Sequence, residues 1–319
     1  MDIREMRENF DRQGPVYESH LLTFEGVDGY DVYNTSFPFR YEGKRYLFGR
    51  VERREEWANS TVRLFSEKGK DIWETVPESM IYQLEDPFVV KLQGDFVLGG
   101  TRVDYSGGKL AGFCGVFYAG KDPFHLRYYT TGPKGMKDIR MVELEDGRIG
   151  VFSRPRGEHV RQAYGSEAVV GFTIINHISE LDDKVPEQAR VVEGLFGKDE
   201  WGGCNQCFLL EEGKVGVIGH RCYHEKRSGI DRQVYLNIAF VFDPETYQAS
   251  DIKVIGTRKS YPVQPEKRAD LADCVFSSGI RLREDGRIDL YSGVADTAEG
   301  RIVIADPFEG RYRFPEQMK

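Results

Sequence analysis

Residues 84–88 read Leu-Glu-Asp-Pro-Phe, two adjacent carboxylates just ahead of a proline and of the apolar run Phe88-Val89-Val90-Lys91-Leu92. Such a pair can donate a proton or accept hydrogen bonds from hydroxyls. Cationic residues recur beside similar runs: Arg50, Arg102, Arg140, Arg154, His220 and Arg221. Guanidinium groups offer forked donors that match oxyanions. A third group, Cys204-x-x-Cys207 with His220, Cys222 and His224, has enough ligands for zinc. Cys204 and Cys207, however, open an extended strand, where residues three apart face opposite sides. They read instead as small buried thiols, and no metal is implied. No Gly-rich phosphate loop opens a helix and no Gly-x-Ser-x-Gly elbow occurs.

The elements that must position these groups repeat. Five segments share a polar start, an apolar strand, a tight turn with glycine and a second strand with a polar end: YNTSFPFRYEGKRYLFGRVER, LEDPFVVKLQGDFVLGGTRVD, KDIRMVELEDGRIGVFSRPRG, GCNQCFLLEEGKVGVIGHRCY and CVFSSGIRLREDGRIDLYSGVADT. The turn glycines are Gly43, Gly94, Gly147, Gly213 and Gly286, at spacings from about 50 to just over 70 residues. Each follows an acidic residue or Gln, as a turn needing positive φ demands. The rest of each period is long enough for two more strands. The chain therefore reads as all-β, a five-bladed β-propeller spanning 1–319 as a single domain with a short N-terminal helical extension. The competing architecture is a β-sandwich built from the same hairpins. The best helical signal is the first dozen residues; a weaker one over 179–194 is interrupted by Pro186.

Composition sets outer bounds. The 319 residues are 40% hydrophobic and 30% charged, with a net charge of -8. The acidic balance argues against a nucleic-acid partner. No apolar run approaches the roughly 20 residues that cross a bilayer, and the charged start MDIREMRENF lacks the apolar core of a signal peptide. Five cysteines fit a reducing compartment. The expectation is a cytoplasmic protein with no nucleic-acid or membrane partner. A homo-oligomer is left open, with the charged N-terminal segment as the surface a second subunit would meet.

An antiparallel hairpin brings together residues equally far from its turn. Seven residues after each turn glycine come Arg50, Thr101, Arg154, His220 and Gly293; eight or nine before it come Asn34 and Thr35, Glu85 and Asp86, Asp138, Cys204 and Asn205, and Ser277 and Ser278. Around a common axis these ends meet on one face. They would line a pocket with Asn34, Arg50, Glu52, Asp86, Arg102, Asp138, Arg140, Arg154, Asn205, His220, Arg221 and Asp296. Taken alone, Glu85-Asp86 reads as a strand cap paired with Arg102; the convergence of five hairpins favours a functional pocket. Trp57 and Tyr105, soon after two of the strands, read as core packing or as an aromatic platform for a ligand.

At the same five places the chain resembles the β-mannoside phosphorylases of glycoside hydrolase family 130 and the related mannosyltransferase/phosphorylases of glycosyltransferase family 108. YLFGRVERR is similar to the family's strand ending in Arg-Val-Glu. LEDPFVVKLQGDFVLGGT is similar to its Glu-Asp-Pro-Arg segment, with Phe88 where Arg is usual. MKDIRMVELEDGRIGVFSRP resembles the Lys-Asp strand leading to His-Arg-Pro, with Ser153 replacing the His. GGCNQCFLLEEGKVGVIGH and VFSSGIRLREDGRIDLYSGVADT resemble the last two blades. The departures mark an outlying branch, nearer the transferase/phosphorylase relatives.

The resemblance implies that Asp86 is the general acid, protonating the glycosidic oxygen through a sugar hydroxyl while phosphate attacks the anomeric carbon with inversion. Phosphate arrives anionic and needs no base, whereas an inverting hydrolase needs a second carboxylate. It does need a cationic cradle, for which Arg140, Arg154, His220 and Arg221 are the candidates, with Tyr223 as a hydroxyl donor. Asn34, Arg50, Glu52, Glu85, Arg102, Asp138, Asn205 and Asp296 are the candidate sugar ligands. Glu85 would raise the pKa of Asp86 and Arg102 would oppose it. The expected reaction interconverts a β-mannoside plus phosphate with mannose 1-phosphate and a shortened acceptor, with no metal or organic cofactor. The alternatives are a glycoside hydrolase with Asp138 or Asp296 as second carboxylate, and a non-catalytic binding propeller.

Overall fold

The computed structural model describes residues 2–56, 59–106 and 109–318. Strands account for 54% of it and are arranged as a five-bladed β-propeller. The first blade holds Thr23–Glu25, Asp31–Tyr33, Phe39–Tyr41, Lys44–Glu52, Thr61–Gly69 and Ile72–Thr75. The second holds Glu85–Leu92, Asp95–Ser106, Lys109–Gly120 and Arg127–Lys134. Arg140–Glu143, Ile149–Ser153, Gly171–Ile175 and Arg190–Val191 make the third; Glu200–Leu209, Val215–Arg227, Ile230–Asp243 and Gln248–Gly256 make the fourth. Within the blades neighbouring strands run antiparallel, except Thr23–Glu25 beside Ile72–Thr75.

The fifth blade closes the ring. Only three of its strands, Val275–Leu282, Arg287–Val294 and Ala298–Ala305, come from the C-terminal end; the outermost is Val16–Leu21 from the other end of the chain. The hairpin pattern does not announce this, because Val16–Leu21 has no hairpin partner near it in sequence. Arg301 fastens the closure, with Nη1 on Asp289 at 2.8 Å and Nη2 on Asp71 at 2.8 Å. Each of the five hairpins forms about its expected turn. Glu42-Gly43 and Gln93-Gly94 both have positive φ at each residue, the primed geometry that matches strand twist.

The core lies between blades. Phe39, Phe48, Leu64, Leu98 and Val116 join the first blade to the second, and Phe152, Phe172, Phe240 and Phe242 join the third to the fourth. Cys204 and Cys207 lie in that second cluster together, correcting the expectation that they face opposite sides. A register shift between Cys204 and Gln206 adds a residue to the strand and turns both inward. Among the described residues no group of three His, Cys, Asp or Glu side chains is arranged to hold a metal. No helix among them is long and apolar enough to cross a membrane.

The N-terminal helix runs Ile3–Gln13. Asp2 caps it by accepting from the Arg4 N–H at 2.7 Å, and Gly14 ends it in the left-handed region. It packs on the fourth blade, where Ile3 is fully buried against Tyr223, Val234 and Leu236. In the segment 179–194 the α-helix is limited to Lys184–Glu187, which contains Pro186, and the strand Arg190–Val191 follows it; helix Glu158–Tyr164 was not legible.

Glu299 sits at the seam of the first and fifth blades with no solvent exposure, accepting from the Thr35 N–H at 3.2 Å. Burial pushes its carboxyl up to about 8, against the backbone hydrogen bonds that favour the charge. The native state therefore binds a proton that the unfolded chain, near pKa about 4.3, has released. Stability should fall as pH rises from about 5 through 8. Glu299→Gln should flatten that slope and raise the unfolding midpoint at pH 8.5, as read by denaturant unfolding at both pH values; an unchanged slope would contradict this.

Candidate active site

The backbone is irregular in or just before the first strand of each hairpin, where its polar residue sits. Asn34, Asp86 and Asp138 adopt positive φ of 48, 48 and 58°. The strand register shifts between Glu85 and Phe88, between Cys204 and Gln206, and between Ser277 and Gly279. Asp296 joins them at φ 55°. Asn and Asp tolerate this left-handed region better than other side chains, and such strain gathers at functional sites. Each kink re-aims a polar side chain toward the axis instead of across the sheet. Two glycines make room: a Cβ at Gly293 would overlap Asn34 Oδ1, and one at Gly202 would overlap the His220 carbonyl oxygen.

One half of the site surrounds Arg50. Its Nη1 donates to Asp86 Oδ1 at 3.0 Å, and its Nη2 to Glu85 Oε1 at 3.1 Å and Glu52 Oε2 at 3.2 Å. Nε is fixed by Ser60 Oγ at 2.8 Å, and the guanidinium lies 4.8 Å from the Tyr33 ring centroid. Asn34 Nδ2 also donates to Asp86 Oδ1, at 2.8 Å. Both contacts fall on one oxygen, which leaves Oδ2 for a ligand. Asp86 is 6% exposed. Lys267, from the loop before the fifth blade, reaches Glu52 at 2.5 Å, and Tyr33 donates to the same carboxylate. Burial raises the Glu85 carboxyl, Arg50 opposes that and Asp86 adds to it; the outcome is upward. Asp296, partly exposed at the mouth, is likewise pushed up by burial and by Asp86. The cation beside the acid pair is therefore Arg50, not Arg102 as the sequence indicated.

The other half surrounds Asp138. Arg154 Nη1 donates to its Oδ2 at 2.6 Å while Nε is held by the Gly202 carbonyl at 2.7 Å. Arg140 Nη2 stands 3.7 Å from Oδ1, its Nε donates to the Asn205 carbonyl at 2.9 Å, and its guanidinium lies 4.6 Å from the Phe88 ring centroid. Burial would raise the Asp138 carboxyl, but Arg154, Lys137 and Arg140 hold it well below the usual carboxylate range. Arg140 lies within electrostatic reach of both Asp138 and Asp86, joining the halves. Burial and Arg154 together keep His220 neutral. Its Nδ1 meets Asn205 Oδ1 at 2.7 Å, so Nδ1 carries the proton and Nε2 is an acceptor. Asn34 Oδ1, Asp138 Oδ1, Asn205 Nδ2, His220 Nε2 and Ser278 Oγ are buried without a protein hydrogen-bond partner. Buried polar atoms are rarely left so, and together they offer donors and acceptors to a hydroxylated or anionic ligand.

Three sequence candidates fall outside this arrangement. Arg102 is exposed and pairs with Asp104 at 3.3 Å; Thr101 takes the inward position and the next residue points away. Arg221 is bound by Glu200, Nε at 2.7 Å and Nη2 at 2.6 Å, on the strand face opposite His220. The Tyr223 hydroxyl accepts from Arg7 at 2.8 Å beneath the N-terminal helix. Conversely, sequence reasoning missed Lys137, Tyr33 and Lys267. Lys137 and Tyr33 directly precede the kinked Asp138 and Asn34, a usable signal; Lys267 comes from a loop without pattern. Trp57 lies outside the described residues. A cavity of about 800 Å³ opens on the turn face; Phe88, Arg140 and Asn205 are among its walls, but Asp86 and Asp138 are not.

A family model described as protein of unknown function (DUF1861) matches residues 8–310. Among solved structures, MPT-4, a mannose phosphorylase from Leishmania mexicana in complex with phosphate ion, is 48% identical, with a TM-score of 0.91 over 97% of this chain and 95% of that one. MPT-1, a GDP-Man-dependent mannosyltransferase from the same organism, is 46% identical, with a TM-score of 0.90 over 98% and 97%. A β-1,2-mannobiose phosphorylase from Listeria innocua is 16% identical, with a TM-score of 0.60 over 87% and 91%, a likeness of fold. No curated protein matches the chain.

Proposed function

The chain belongs to the DUF1861 family and, by its likeness to the two Leishmania enzymes, is a glycosyltransferase or glycoside phosphorylase; from that premise we propose an inverting β-mannoside phosphorylase that also runs as a mannosyltransferase. It interconverts a β-mannoside plus phosphate with mannose 1-phosphate and a shortened acceptor. The observation that carries the reading is the juxtaposition of Asp86, held by Asn34 and Arg50, with the cationic cluster of Arg140, Arg154 and Lys137 around Asp138.

In this reading Asp86 supplies the proton that reaches the departing glycosidic oxygen, by way of a sugar hydroxyl. As that bond breaks, a phosphate oxygen bonds to the anomeric carbon from the opposite face. Arg154 and Arg140 take the phosphate oxygens, and the neutral His220 accepts from a P–OH or a sugar hydroxyl through Nε2. Arg50, Glu52, Asn34, Asn205 and Asp296 receive the mannose hydroxyls. An inverting hydrolase would need a carboxylate free to deprotonate water; Asp138 Oδ2 is committed to Arg154 at 2.6 Å, which favours phosphate over water.

Mannose 1-phosphate incubated with a panel of sugar acceptors should release inorganic phosphate only when an acceptor is present. GDP-mannose forms the parallel arm, since MPT-1 is described as GDP-Man-dependent. No phosphate from any acceptor would overturn the assignment.

A further inference from the structure

We propose that a cavity beside Glu85, between the first and second blades, binds the further rings of an oligosaccharide acceptor. The inference rests on the transfer reaction above and names where its acceptor extends. The cavity measures about 280 Å³, and its polar lining includes Gln83, Glu85, Arg102, Asp104 and Tyr105, with Asn59 and Ser60 at one side. It adjoins the acid through one side chain. Arg50 donates by Nε to Ser60 in the cavity wall, by Nη2 to Glu85 beside it, and by Nη1 to Asp86. Ser60 and Glu85 of the cavity wall and Asp86 thus share one guanidinium, which sets the cavity one side chain away from the acid.

The lining selects the ligand class. Asn59 and Gln83 carry carboxamides, which donate and accept at once as hydroxyl pairs require. Tyr105, 38% exposed, presents an aromatic face with a polar tip beside them. Arg102 and Asp104 offset one another at 3.3 Å, and Glu85 adds no positive charge. A phosphate or nucleotide would find no net cation here, so the fitting ligand is neutral and hydroxylated. The volume lies at the low end of small-molecule sites, which start near 300 Å³, and suits one or two sugar rings. Arg102, excluded from the axial cluster, lines this site instead.

The test compares mannose, mannobiose and mannotriose as acceptors, with mannose 1-phosphate as donor. In the native enzyme kcat/KM should rise about tenfold or more from one ring to two. Tyr105→Ala and, separately, Gln83→Ala should abolish most of that gain, whereas Tyr105→Phe should keep it. No gain with length in the native enzyme, or a full gain in both alanine variants, would overturn the site. If no acceptor releases phosphate, the reaction assignment has failed. Calorimetry of mannotriose binding to the native protein and to Tyr105→Ala then decides the site alone: equal affinities, or no binding to either, reject it.

Discussion

Asp86→Asn should lower phosphate release from mannose 1-phosphate and acceptor by about 10²–10⁴-fold, the span expected for a positioned general acid. Asn keeps the shape. Its Oδ1 can still accept from Asn34 Nδ2 and Arg50 Nη1, the contacts of 2.8 and 3.0 Å that fix the side chain. Only the oxygen turned to the ligand is exchanged for an amide that has no proton to supply. Acceptor affinity, measured by calorimetry, should therefore change by less than about threefold, roughly 0.65 kcal/mol, and the unfolding midpoint should stay close to native. Loss of turnover with binding retained is the signature of an acid. Turnover within a few fold of native would remove Asp86 from that role.

Arg154 is expected to give the second large effect, on phosphate and not on sugar. Its guanidinium is buried, pinned at Nε by the Gly202 carbonyl, and spends Nη1 on Asp138. Arg154→Lys keeps a charge near Asp138 but loses the planar fork. The KM for phosphate in the direction of mannoside breakdown should rise by about 10²-fold, while KM for the mannoside moves by less than about fivefold. Arg154→Met removes the charge as well and leaves Asp138 less compensated, a change that costs about 3–5 kcal/mol in buried pairs. The loss should depend on pH. The Asp138 carboxyl is held low in the folded state, so its contribution to stability is present above pH about 4 and fades as pH falls further. Without Arg154 that contribution is missing at neutral pH, so the deficit of Arg154→Met relative to native should be largest above pH about 4 and shrink as acid protonates Asp138. An unchanged phosphate KM in Arg154→Lys would show that the cradle lies elsewhere.

The repeated hairpins were legible because turn chemistry and strand alternation are local: Glu42-Gly43 or Asp285-Gly286 states its turn without reference to the rest of the chain. The convergence of Asn34, Asp86, Asp138, Asn205 and His220 was legible for the same reason, since position relative to a turn fixes which end of a hairpin a residue occupies. The errors came from counting position without counting faces. Arg102 follows the inward Thr101 and so points out, and Arg221 and Tyr223 share the strand face opposite His220. The left-handed backbone at Asn34, Asp86, Asp138 and Asp296 was not legible, because Asp and Asn accept that conformation without announcing it. Strand closure by Val16–Leu21 and the reach of Lys267 to Glu52 depend on contacts between distant parts of the chain, which no local pattern encodes.

The most direct measurement follows the breakdown of a β-mannoside in phosphate buffer by ³¹P and ¹H NMR in real time. A phosphate-cradling site opposite Asp86 predicts α-mannose 1-phosphate as the first product, with no free mannose ahead of it. First appearance of the β-anomer, or of free mannose at a rate indifferent to phosphate, would contradict the account.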